Sequence, residues 1–123
     1  MAKVLLCALL DDGGRTLFLE KTEGEMTRYC LPCAMVGEQD NPVEALKKII
    51  AAQTGIDAQV SMIALSGRHN TGSRRRKQWA GALAFKCSAK KFHCNAPCKW
   101  MKLSDALKQK LSRECEWLKT ASR

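Results

Sequence analysis

No apolar run in the sequence approaches the ~20 residues that cross a bilayer, which excludes a helical membrane span. The most apolar opening stretch, Val4 to Leu10, is short and stops at Asp11-Asp12. It has neither a basic leader of any length nor a small-residue cleavage site. It therefore reads as a strand rather than a secretion signal, and the cytoplasm is the expected compartment. There is no internal repeat and no low-complexity tract, so neither a solenoid nor a biased linker is expected. Acidic residues are scarce in the second half. Residues 61–123 hold 15 Lys and Arg against 3 Asp and Glu, a net of +12, whereas residues 1–60 hold 6 against 9, a net of −3. This asymmetry admits a solvated basic surface or an anionic partner: nucleotide, nucleic acid or an acidic protein.

The 123 residues suit one domain, 1–123, with enough apolar content (46%) for a core without staples. The seven cysteines are many and odd in number: Cys7, Cys30, Cys33, Cys87, Cys94, Cys98 and Cys115. Without a secretion signal they read as reduced thiols rather than a disulfide framework.

Periodicity gives an element order of β-β-β-α-β-β-β-α. Lys3 to Leu10 is a buried strand, turned by Asp11 to Gly14 into a hairpin partner, Thr16 to Glu20. Lys21 to Arg28 reads as a loop, and Tyr29 to Val36 as an irregular strand containing Pro32. Asn41 and Pro42 open a helix, with Glu44 placed to complete a capping box and Gly55 to close the end. Strands follow at 58–67, 78–87 and 99–103, separated by a basic loop, 68–77, and a second loop, 88–97. Ser104 is expected to cap a last helix running to about Thr120, with Leu107, Leu111, Cys115 and Leu118 on one stripe. A mixed sheet between helices follows from this order.

The segment Leu31-Pro32-Cys33-Ala34, with Asp40, Pro42, Glu44-Ala45 and Thr54-Gly55-Ile56, resembles the signature of the Nudix hydrolase superfamily. The family's box is a glycine and, after five residues, a glutamate; seven residues later comes Arg-Glu-U-x-Glu-Glu-x-Gly-U, with U bulky and aliphatic. Laid on this chain without gaps, it runs from Ala34 through Asp40 to Lys48-Ile49-Ile50-Ala51-Ala52-Gln53-Thr54-Gly55-Ile56. The opening hairpin and the stretch Trp100 to Leu107 resemble the family as well, so nearly the whole chain is covered. The resemblance implies an α/β fold, a Nudix-like α/β/α sandwich with a mixed β-sheet. It also implies magnesium- or manganese-dependent hydrolysis of nucleoside diphosphate derivatives.

The residues argue against that chemistry. A helix brings three carboxylates to one divalent ion by presenting them at i, i+3 and i+4. Here those positions are Ile49, Ala52 and Gln53, and none supplies an anionic oxygen. A register shifted by one gives Lys48, Ala51 and Ala52, with the same result. Asp40 keeps an acid at the first box position, and Glu44 lies one turn into the helix, where an ion pair with Lys48 is expected. If activity exists, Asp40 and Glu44, with Glu38, are the candidate carboxylates. The expectation is a chain with no catalytic metal and no cofactor.

Three readings of function follow. The leading one is a non-hydrolytic nucleotide- or nucleic-acid-binding or regulatory domain. It uses the basic loop Arg74-Arg75-Arg76-Lys77 with Arg68, Lys48 and the neighbouring Trp79, which together could hold phosphate and stack a base. The others are a hydrolase with metal held outside the helix positions, and a protein-interaction domain meeting an acidic partner. Oligomeric state is open, a homodimer included. The pairs Cys30-x2-Cys33 and Cys94-x3-Cys98, the second beside His93, have ligand types that suit zinc, set against ordinary reduced cysteines.

Overall fold

The computed structural model describes residues 3–121. Strand β1 (Lys3–Asp12) runs through the centre. It pairs antiparallel with β4 (Cys33–Gly37) on one side and parallel with β6 (Trp79–Ala89) on the other. Strand β5 (Ala58–Asn70) completes this mixed sheet against β6. A second, antiparallel ladder is built on β2 (Arg15–Glu23), flanked by β3 (Met26–Cys30) and β7 (Cys98–Met101). The two ladders join at the β1–β2 hairpin, where Asp12 faces Arg15 across Gly13-Gly14. Both glycines have positive φ (63° and 84°), the conformation a two-residue hairpin turn requires.

β1 is buried on both faces, which is why its sequence is apolar without a break. Alternation sends Leu5, Cys7 and Leu9 into one core and Leu6, Ala8 and Leu10 into the other. Helix α1 (Pro42–Thr54) covers the second core with Leu46 and Ile50. Its N-cap is Asn41, whose side-chain oxygen accepts from the Val43 and Glu44 amides at 3.0 and 3.2 Å. Gly55, left-handed at φ 77°, closes it, and the Thr54 hydroxyl donates back to the Ile50 carbonyl at 2.7 Å.

Three sequence expectations need correction. Residues 21–28 are not a loop. β2 continues to Glu23 and turns at Gly24 into β3. The strand expected over 29–36 is two strands, parted at Leu31-Pro32, where the chain leaves the antiparallel ladder for the mixed sheet. The last helix is a single turn, α2 (Leu103–Ala106), capped at Lys102 rather than Ser104, followed after a gap by a 3-10 helix, Arg113–Thr120. The cause is the open edge of β3. The Tyr29 amide donates to the Lys110 carbonyl at 2.9 Å, and the Ser112 amide donates to the Tyr29 carbonyl at 2.8 Å. Pairing this edge satisfies backbone groups that a continuous helix would leave bare. The expected stripe still reaches the first core: Leu111, Cys115 and Leu118 are buried and Leu107 is partly so. The strands over 58–67 and 78–87 run to Asn70 and Ala89, and β5 is irregular near Met62 and Ile63, both of which are exposed. No helix among the described residues is long and apolar enough to cross a membrane.

Candidate functional site

The segment that resembles the Nudix box forms the β4–α1 unit. Asp40 closes the turn into α1, its carboxylate accepting from the Gly37 amide at 3.0 Å. Gln53 is engaged by the backbone. Its side-chain oxygen accepts from the Cys33 amide at 3.1 Å, and its nitrogen donates to the Cys33 carbonyl at 2.8 Å. Ile49 is half-buried and packs at the margin of the second core, while Ala52 is exposed. Asp40, Glu44 and Glu38 do not bring their carboxylate oxygens within 4.8 Å of one another. Among the described residues, the cluster of three or more such side chains within 4.8 Å of one another is sulfur, not carboxylate. The expected Glu44–Lys48 ion pair is likewise not formed. The ion pair among the described residues is Lys119–Glu116, 3.3 Å apart and exposed.

Cationic side chains converge elsewhere. A cleft of 810 Å³ lies between the end of β5, the outer strands β2 and β3, and the 3-10 helix. Lys21, Arg28, Arg68, Arg74 and Arg113 line it, against three glutamates, Glu23, Glu114 and Glu116. Two of these arginines are held by backbone: Arg28 donates to the Leu111 carbonyl (3.4 Å) and Arg113 to the Asn70 carbonyl (3.3 Å). The Arg68 guanidinium lies over the Trp79 ring, 5.1 Å from its centroid. Trp79 is 52% exposed, so it is not the core residue that an apolar strand position suggests.

The basic loop is ordered by its own hydrogen bonds. Asn70 accepts from the Gly72 and Gln78 amides at 2.9 and 3.0 Å, and the Ser73 hydroxyl accepts from the Arg76 amide at 2.9 Å. Gly72 is required there, because a Cβ would collide with the Arg76 carbonyl oxygen. Of the residues expected to act together, Arg68 and Arg74 line the cleft, with Trp79 stacked on the first. Arg75, Arg76 and Lys77 are exposed and outside the lining. Lys48 is placed apart from these residues. It lies on α1, over the other core, and takes no part in the cleft.

Sequence reasoning missed Lys21, Arg28, His69 and Arg113. Their signal was unreadable, because they come from two segments read as loops and one read as helix, which meet only in the tertiary structure. His69 is buried against the cleft, and its pKa is lowered by burial and by the Arg113 charge. It is therefore neutral at pH 7.

The cysteines also rearrange the expectation. Cys94 and Cys98 border the second core, while Cys30 and Cys33 lie in the first, so the two pairs do not form one site. Cys30 instead meets Cys33 at 3.7 Å and Cys115 at 3.6 Å, sulfur to sulfur. Cys7, opposite Cys33 in the β1–β4 register, borders this group on the Cys33 and Cys115 side. The Cys30 thiol is pushed up to about 12, first by its hydrogen bond with Cys115 and then by burial. Cys115 moves well below the usual thiol range through hydrogen bonds with Cys30, Cys33 and Cys7.

An α/β sandwich with a mixed sheet and a loop–helix unit beneath it defines the class. No protein-family model matches the sequence, and no curated protein does. Solved structures do. The E. coli ORF135 protein superposes with a TM-score of 0.68 at 15% identity, over 96% of this chain and 86% of its own. An ADP-ribose pyrophosphatase from Streptococcus suis gives 0.66 at 12%, over 97% and 88%. The Nudix domain of Shewanella oneidensis NrtR, solved with ADP ribose, gives 0.61 at 16%, over 98% and 84%. The chain has the Nudix fold.

Proposed function

We propose that this Nudix-fold chain binds a phosphate-bearing nucleotide or nucleic-acid strand in the basic cleft and does not hydrolyse it. The observation that carries this reading is the convergence of Lys21, Arg28, Arg68, Arg74 and Arg113 on one cleft beside an exposed Trp79. Guanidinium groups donate in a planar fork that matches phosphate oxygens, and an exposed indole offers a face to a base. The helix positions that would hold a divalent ion carry Ile49, Ala52 and Gln53, and Gln53 is committed to the Cys33 backbone.

The test is titration of the protein with a nucleoside diphosphate and with a short oligonucleotide, followed by binding heat or tryptophan fluorescence. Arg68→Ala and Arg74→Ala should each weaken binding by about tenfold or more, as loss of a charged hydrogen bond costs ~1.5–3 kcal/mol. Arg75→Ala and Arg76→Ala, outside the lining, should act less. No binding of either probe at low salt would sink the proposal. Turnover that needs magnesium or manganese and disappears in Asp40→Ala or Glu44→Ala would replace it with hydrolysis.

A further inference from the structure

A buried group of sulfurs in the first core supplies no side chain to the cleft lining. Cys30, Cys33 and Cys115 have sulfurs within 4.8 Å of one another. They reach that point from the end of β3, the start of β4 and the 3-10 helix, and Cys7 comes to it from the central strand. All four are buried. We propose that Cys30, Cys33 and Cys115, with Cys7 as the fourth sulfur, form a structural zinc site at the junction of the two ladders.

The geometry suits that ion. A Zn–S bond of ~2.3 Å sets tetrahedral sulfurs about 3.8 Å apart, and Cys30 lies 3.7 Å from Cys33 and 3.6 Å from Cys115, with the three sulfurs all within 4.8 Å of one another. The surroundings are arranged for thiolate. The Leu31 amide donates to the Cys115 sulfur at 3.2 Å, and backbone donors of this kind steady metal-bound sulfur. The Ser112 hydroxyl is buried without a hydrogen-bond partner and lies beside Cys30. While Cys30 is a thiol, its hydrogen goes to the Leu31 carbonyl at 3.2 Å. Once that proton leaves, the sulfur is free to accept from Ser112, which gives the unpartnered hydroxyl an acceptor.

The chemistry balances simply. Each ligating thiol releases its proton to solvent, and the sulfur lone pair is given to the ion, with no change of oxidation state. Four soft sulfurs and no oxygen favour zinc over magnesium or manganese. The corner Cys30-Leu31-Pro32-Cys33 gains most, since two ligands three residues apart fix the point at which the chain changes ladders. The site borders the basic cleft through Ser112 but takes none of its cationic side chains as ligands, so either proposal stands without the other.

The experiment uses the full chain, purified reduced and supplied with zinc, then desalted and analysed for metal. About one zinc ion per chain is expected, displaced by an organomercurial reagent. Cobalt(II) in its place should give a thiolate-to-metal charge-transfer band, which oxygen or nitrogen ligands do not produce. Cys30→Ser and Cys115→Ser should each lower the metal content to about a tenth or less, while Cys94→Ser with Cys98→Ser should leave it unchanged. Cys7→Ser should reduce the cobalt band by about a quarter, as one sulfur of four is lost. If the serine variants fail to fold, the cobalt spectrum of the unaltered protein decides. Reduced protein that retains no zinc and shows no charge-transfer band overturns the site. Metal that persists in soluble Cys30→Ser and Cys115→Ser does so too.

Discussion

Gln53 shows how one side chain can occupy a metal-ligand position and do different work. Its amide both accepts from and donates to the Cys33 backbone, 20 residues away in sequence. A carboxylate of the same length accepts but does not donate, so it would face the Cys33 carbonyl unpaired. Gln53→Glu should therefore cost about 1–3 kcal/mol in urea unfolding, the penalty for a partly buried acceptor left against another acceptor. A variant as stable as the parent would show that the amide donor is idle. His69 makes a second prediction at this scale. Its folded-state pKa is lowered by burial and Arg113, so between that value and the unfolded pKa of ~6.5 the unfolded chain binds more protons. Its contribution is complete above pH ~6.5 and is lost as pH falls towards the folded value. The midpoint of thermal unfolding should drop on acidification through this window, and His69→Gln should flatten that slope. Asn41 and Gly55 were legible as caps because capping is local. The partner of Gln53 was not, because nothing in a helical pattern names a backbone group across the fold.

Helix α1 was legible for the same reason: its cap, its first-turn proline, its apolar spacing and its closing glycine lie within 15 residues, Asn41 to Gly55. The C-terminal segment carried an equally good helical stripe, but the free edge of β3 recruits its backbone at Lys110 and Ser112. Apolar spacing recorded which residues reach the core and left open by what path. Packing of the 3-10 helix on β5 depends on Gly67. A Cβ there would lie 2.8 Å from Trp117 Cε3, and the indole is buried. Gly67→Ala should therefore destabilise the protein by about 1–3 kcal/mol, the usual cost of overpacking. Near-ultraviolet circular dichroism of the tryptophans would record the displaced ring. An unchanged spectrum and stability would mean the helix shifts freely.

At the scale of the whole molecule, the net charge of +9 is concentrated by folding rather than merely carried. The uneven distribution was plain in the sequence, but the cleft draws Lys21 and Arg28 from the acidic half and omits Arg75, Arg76 and Lys77 of the basic loop. Counting charge by segment therefore pointed to the right property and to an incomplete set of residues. If phosphate is the recognised group, affinity should fall with salt, with a log–log slope of about −0.7 per phosphate neutralised on a single strand. A slope near zero would assign binding to contacts other than phosphate.

The parallel alignment of β1 with β6 has a consequence for how the chain is made. Val4 to Leu10 align with Gly81 to Cys87, so one side of the most apolar strand waits for a partner from the far half of the polypeptide. Until that half leaves the ribosome, Leu5 to Leu10 remain an uncovered, aggregation-prone template. Newly synthesised chains should accordingly depend on a holding chaperone for longer than the size of the protein suggests.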